Sequence, residues 1–305
     1  MPSIREHQYA VVACALTSDP RQAPTLARQA GFAGVLFDAY SASLNFPELS
    51  ASGRREFRHV MSSQDRQLVG LRVDLGAKGF GPGADVDQVL SQLDKVLETA
   101  KALAAPLVCV ELGPLPQPPK VDKPKPRVTP DEAGLILIPT FVAAPAPEVT
   151  QIPEIPAQVD PIFVAQVDGA LGELGVLADR YNVMVALRSD LASFAALDRA
   201  LTTARCPWFG VDLDPVAILR DQWNSDEIFS RFGPLIRHVR GRDAVCGMDR
   251  RTKPAPIGRG DSNWDQMLSN LEGAEFHEWI TIDPIDLVDR NTAALAGLKY
   301  LQMHI

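Results

Sequence analysis

Eight times along the chain, a short run rich in apolar and β-branched residues is followed by a longer stretch with helical spacing of its apolar positions. Such alternation calls for parallel strands joined by crossover helices. The candidate strands cover residues 9–15, 34–39, 68–75, 107–112, 183–188, 209–214, 236–242 and 279–283. The clearest helix spans residues 85–104, where Val86, Val89, Leu90, Leu93, Val96, Leu97, Ala100 and Leu103 form one stripe behind an aspartate cap at Asp85. Further helices are expected over residues 21–29, 54–67, 163–181, 191–204, 264–271 and 292–303. Eight units in 305 residues are most simply accommodated by closing the sheet, because closure removes both exposed edges. The predicted fold is therefore α/β, a single (β/α)8 TIM barrel over residues 1–305.

One segment breaks this rhythm. Residues 113–161 contain 13 of the 25 prolines and show no helical period. Proline fixes φ and removes a donor, so this stretch is a long proline-rich insertion after strand four rather than a barrel element. Its apolar middle, residues 135–142 (LILIPTFV), reads either as a loop covering the barrel or as a lid or partner-contacting arm.

Composition removes several function classes. The chain is 46% hydrophobic and 22% charged, with no run of roughly 18 apolar residues of the kind a membrane span needs. Its net charge of -8, with no basic run beyond the short turn at residues 249–251, argues against a phosphate-backbone binder, so no nucleic-acid partner is expected. Cys14, Cys109, Cys206 and Cys246 lack CxxC spacing and read as free thiols in a reducing, cytoplasmic setting. The apolar residues 9–16 could serve a secretory leader or an inner first strand, and the strand accounts for them better.

By the second half the sequence carries a resemblance. GFAGVLFD (residues 31–38), LADRYNVMVALRSD (177–190), FGVDLDPVAI (209–218), IRHVRGRD (236–243), IGRGDSNW (257–264) and EWITID (278–283) follow one another as in the xylose-isomerase-like barrels of the sugar phosphate isomerase/epimerase superfamily. The chain resembles that family over nearly its whole length outside the insertion. The resemblance implies a divalent cation, magnesium or manganese, held at the carboxyl ends of strands five to eight by Glu, Asp, His and Glu. It also implies carboxylates that move a proton between adjacent carbons of a sugar, and a homodimer.

At the matching positions the chain departs from the pattern. The fifth-strand Glu falls on Arg188, the sixth-strand Asp on Asp214, the seventh-strand His on Arg240 and the closing Glu on Asp283. An arginine has no lone pair to give a metal and repels one. The expectation is therefore an eroded site without a metal, Arg188, Arg240 and Arg242 facing the ligand together with Asp38, Lys78 and Glu111. Asp214, Asp283 and His238 are the catalytic candidates. Arg188 and Arg240 either pair internally with Asp214 and Asp283 or keep a guanidinium free for a carboxylate or phosphate. Charged groups at strand ends such as Asp38, Asp74 and Glu111 are often no more than caps, and a strand histidine such as His238 is often a hydrogen-bonded core residue. In IGRGDSNW, Asp261 is expected to cap the next helix and Trp264 to anchor it.

Three functions follow as expectations. The first is metal-independent binding or diverged chemistry on a small polyhydroxylated, anionic, sugar-like molecule. The second is an active metal-dependent isomerase or epimerase with ligands drawn from Asp212, Asp214, Asp283 and Glu111. The third is a non-catalytic scaffold using the insertion to bind a partner. A repair nuclease would need far more than the five histidines present.

Overall fold

The computed structural model describes residues 8–117, 160–247 and 251–303. The core of the proline-rich insertion, with residues 135–142, lies outside the described residues. Eight parallel strands close into a barrel: β1 (Gln8–Val12), β2 (Gly34–Asp38), β3 (Gln67–Asp74), β4 (Leu107–Glu111), β5 (Met184–Arg188), β6 (Phe209–Leu213), β7 (Ile236–Gly241) and β10 (Trp279–Ile282). Between the last two lies an antiparallel hairpin, β8 (Asp243–Cys246) with β9 (Thr252–Ala255). The barrel is the predicted one, with each predicted strand present and ends shifted by a residue or so except at the first. There β1 stops at Val12, and Ala13–Leu16 turns into a short helix, α1.

The shell contains α2 (Ala23–Ala30), α3 (Ala51–Ser63), α4 (Val86–Leu103), α5 (Pro161–Tyr181), α6 (Phe194–Ala204), α7 (Pro215–Asp221), α8 (Ser225–Phe232), α9 (Trp264–Gly273) and α10 (Arg290–Met303). Helix α4 begins where expected, with the Asp85 carboxylate accepting from the Gln88 amide at 3.0 Å, and buries Leu90, Leu93, Val96, Leu97, Ala100 and Leu103. By length and composition α5 alone among the described residues could cross a membrane. Its place in the shell explains the apolar content, since Val167, Leu171, Leu174 and Ala178 are buried against the barrel.

Helices α7 and α8 and the hairpin were not legible in the sequence. Both helices span barely two turns, too short to establish a period, and β9 carries Pro254, which ordinarily marks a segment as non-strand. Asp214 does not end the sixth strand but caps α7, accepting from the Val216 amide at 2.9 Å. The expected cap at Asp261 is also corrected. Asn263 caps α9 through the Gln266 amide at 3.1 Å, while Asp261 accepts from the Cys246 amide at 2.7 Å. Trp264 is buried as expected.

Candidate active site

Alternation along each strand sends every second side chain into the barrel. At the carboxyl end this places Asp38 of β2, Arg72 of β3, Glu111 of β4, Arg188 of β5, Asp212 of β6, Arg240 of β7 and Thr281 of β10 around a chamber of about 450 Å³. The register sets neighbours directly beside one another, Asp38 with Arg72, Glu111 with Arg188, and Asp212 with His238. Like charges opposite one another would repel; here opposite signs alternate around much of the ring.

The result is a lattice of ion pairs. Arg240 Nε donates to Asp283 at 2.6 Å, and its Nη1 lies 3.5 Å from Asp214. Arg72, on the far side, reaches the same Asp283 oxygen at 2.9 Å and also pairs with Asp38. Arg188 lies 2.9 Å from Glu111, 3.2 Å from Asp190 and 3.1 Å from Asp212. Arg242 holds Asp214, Asp190 at 3.0 Å and Asp286 at 3.3 Å. The internal-pairing expectation is thus met for Arg240. Arg188 pairs instead with Glu111, Asp190 and Asp212, because these surround the end of β5.

Charge states follow from these contacts. Burial alone would raise the pKa of Asp214, but Arg242 and Arg240 outweigh it and bring it to about 2. Burial likewise works against ionised Asp283, and Arg240 and Arg72 hold it well below the usual carboxylate range. Glu111 goes the other way. Burial dominates the attraction of Arg188 and pushes its pKa to about 7. Its Oε1 accepts from the Asp190 amide at 2.8 Å, while buried Oε2 lies beside Arg188 without forming a hydrogen bond. For His238, burial disfavours the charge, and negative charge on Cys109 and Asp212 prevails, raising its pKa to about 10. The Cys109 thiol is itself pushed up by burial, so at neutral pH Asp212 is the operative partner. The imidazolium then donates at 2.6 Å to Asp212 and at 2.7 Å to Thr281.

Lys78 is not brought to this chamber. It is exposed in the loop after β3, with its ammonium on the Gly83 carbonyl at 3.2 Å. Four residues that do belong went unremarked in the sequence. Arg72 sits mid-run in an apolar strand, Asp190 two residues beyond Arg188, Asp286 in the loop after β10, and Arg290 at the start of α10. Arg290 is exposed at the mouth and makes no ion pair among the described residues.

The metal expected from the family can be tested against these residues. At the four positions that the resemblance assigns to its ligands, Arg188 and Arg240 offer no lone pair, and Asp214 and Asp283 are each held by guanidinium groups. These residues do not fit a divalent cation. Deeper in the barrel, Cys109, Asp212 and His238 bring one sulfur, one oxygen and one nitrogen within 4.8 Å of one another. A borderline-soft ion would suit that donor set. However, both imidazole nitrogens are hydrogen-bonded and Arg188 Nε stands 3.1 Å from Asp212, so this trio is arranged as a dyad with its partners.

Solved structures place the barrel among known folds. A xylose isomerase domain protein from Planctomyces limnophilus matches at a TM-score of 0.68 and 13% identity, covering 98% of this chain and 95% of that one. The chain has the xylose-isomerase-like barrel fold. D-psicose 3-epimerase from Clostridium cellulolyticum H10, solved with D-tagatose, matches this xylose-isomerase-like barrel at 0.67 and 12% identity, over 97% of this chain and 98% of that one. The IolI protein, solved with a zinc atom, matches at 0.67 and 13%, over 97% and 96%. No family model matches the sequence, and no curated protein does. Structural neighbours are therefore sugar isomerase and epimerase barrels, and the likeness at this identity is one of fold.

Proposed function

We propose that this xylose-isomerase-like barrel binds a small polyhydroxylated carbonyl compound without a resident metal, and acts on it as a diverged isomerase or epimerase. The observation that carries this reading is the pair Arg188 and Arg240 at the ends of β5 and β7, each fixed by carboxylates and each facing the chamber. Guanidinium groups held this way can stabilise oxyanion charge that develops on a substrate carbonyl oxygen. Glu111 is the proton carrier in this reading. It lines the chamber with Oε2 ion-paired to Arg188 at 2.9 Å and making no hydrogen bond, whereas Asp214 and Asp283 are held ionised and serve to orient arginines. As a carboxylate it takes a proton from the carbon next to the carbonyl, and as an acid returns it to the former carbonyl carbon of the enediol, while the hydroxyl proton passes from one oxygen to its neighbour.

The ligand class follows from the walls. Seven carboxyl groups face five guanidinium groups and His238 around the chamber, so its charges nearly cancel while donors and acceptors alternate. Hydroxyl groups, which donate and accept, suit such a surface better than a free anion does. D-tagatose, bound by the Clostridium epimerase, is a compound of this class. An anionic group finds support only at Arg290.

The test is thermal unfolding of EDTA-treated protein with manganese, magnesium, zinc or no metal, crossed with ketoses, aldoses, sugar acids and sugar phosphates. A ligand at 100 times its Kd stabilises the native state by about 2.7 kcal/mol. The expected result is a raised midpoint with a neutral sugar and no metal, together with solvent deuterium entering that sugar and lost in Glu111→Gln. Stoichiometric metal in the purified protein, or stabilisation that requires metal, overturns the reading. No shift with any sugar transfers the weight to a non-catalytic scaffold.

A further inference from the structure

A second chamber of about 220 Å³ adjoins the first. The two share four wall residues, Arg242 with its partners Asp190 and Asp286, and Asp283, and these form the partition. Beyond that partition the character changes. Val216 and Ala217 of α7, Ala244 and Pro254 of the hairpin, Ile257 and Leu287 supply the apolar part of the far wall, with Arg220, Asp243 and Thr252 at its polar edges. A site of this size lined by such groups is large enough for an aromatic ring, since an apolar cavity of about 150 Å³ accommodates benzene.

The far wall is also built to stay in place. The buried Asp243 carboxylate accepts from the amides of Ala244 at 2.8 Å, Gly258 at 3.0 Å, Gly260 at 3.1 Å and Ser262 at 3.0 Å, tying the hairpin to the loop that follows it. Gly260 has to be glycine, because a Cβ there would run into that carboxylate. The partition, by contrast, has a half-exposed member, Asp286, paired with Arg242 at 3.3 Å.

We propose that the second chamber is a subsite for a compact apolar substituent on the ligand, so that the natural ligand is a polyhydroxylated head carrying an aryl-sized apolar group. This rests on the proposed sugar-binding reading of the first chamber. The head lies among the arginines and carboxylates, the substituent passes the Arg242–Asp286 pair, and its ring is buried against the hairpin and α7. A bare monosaccharide leaves that apolar wall wet.

The experiment is calorimetric titration of the full chain with matched methyl and phenyl glycosides of several sugars, and with benzyl alcohol alone. The ring is expected to tighten binding roughly tenfold to hundredfold over methyl, allowing for incomplete burial. Ala255→Phe, which fills the chamber from its half-buried hairpin edge, is expected to abolish that advantage. Leu287→Ala, which enlarges the chamber, is expected to shift preference from phenyl to naphthyl; both variants are checked for an unchanged circular dichroism spectrum. Equal affinity for methyl and phenyl forms overturns the subsite while leaving sugar binding intact. Binding of benzyl alcohol alone, lost in Ala255→Phe, with no glycoside bound, supports the apolar subsite and overturns the sugar head. Binding of nothing overturns both.

Discussion

The chamber on the barrel axis and the hairpin wall beside it each hang on a buried aspartate, held by opposite means. Asp283 is gripped by two guanidinium groups from different strands, Arg240 at 2.6 Å and Arg72 at 2.9 Å. Asp243 accepts from four backbone amides, all from its own hairpin and the loop after it. The first arrangement couples distant strands through charge, so a loss there leaves a buried ion without a partner. The second organises a loop, so a loss there leaves amides without acceptors. Damage is therefore expected to spread across the barrel in one case and to stay local in the other.

The sharpest way to break this contrast is Arg240→Met. It strips Asp283 of its closest partner and Asp214 of one of two, and removing one member of a buried pair typically costs about 3–5 kcal/mol. Urea unfolding is expected to show that loss in one cooperative transition. A change below about 1 kcal/mol would mean that Arg72 and Arg242 carry the two carboxylates unaided. Asp243→Ala comes next, at about 2–3 kcal/mol for amides left unsatisfied. Hydrogen exchange is the discriminating measurement. Amides of Gly258, Gly260 and Ser262 should lose protection while those of β5 to β7 keep theirs, and equal loss in both regions would erase the distinction.

Glu111 sharpens the comparison through pH. Its folded pKa, about 7, stands above the ordinary value of 4.5 because burial disfavours its charge. A raised carboxyl pKa means the folded state binds the proton more tightly. That stability is complete below pH 4.5 and is lost as pH rises through 7, a decline on the order of 3 kcal/mol. Glu111→Gln is therefore expected to flatten this part of the stability profile and to be the more stable protein at pH 8, since Arg188 keeps Asp190 and Asp212. His238, with a folded pKa of about 10, contributes stability that is full below its ordinary value of 6.5 and fades as pH rises toward 10. The two declines overlap only near neutrality, so Glu111→Gln should leave the alkaline one in place.

The same contrast explains what could be read before the structure. The resemblance to the xylose-isomerase-like barrels singles out Arg188, Arg240, Asp214 and Asp283, with His238 two residues before Arg240 on the same strand face and Glu111 at a strand end, while the alternation of strand and helix implies the closed barrel. Arg72 also lies on a strand, but a lone charge inside an apolar run gives no sign of which carboxylates will meet it, and Asp38 and Asp283 are 34 and 211 residues away. Loop residues have no period at all. Asp190 and Asp286 owe their roles to where neighbouring strands end, and Lys78, also in a loop, has its ammonium on the Gly83 carbonyl and not in the chamber. The hairpin is invisible for a different reason, as Pro254 masks a strand that needs only one partner.

The smallest effect concerns the exit from that hairpin wall. Sequence spacing favoured Asp261 as the cap of α9, yet Asn263 accepts from the Gln266 amide, and Asp261 serves the hairpin through Cys246. Two polar side chains only two residues apart thus belong to different regions. Asn263→Ala removes a helix cap and should cost about 1 kcal/mol, lowering the thermal midpoint by about 2 °C. Because α9 packs Trp264 and Leu271 into the core, that loss belongs to global unfolding and should leave the apolar chamber's affinity for benzyl alcohol untouched. Asp261→Ala should do the reverse, with little change in the midpoint but weaker benzyl alcohol binding as the β8 edge loosens. If both variants shift the midpoint equally and neither alters that affinity, the hairpin is no more than an extension of the helical shell, and its carboxylate anchors do not shape a site.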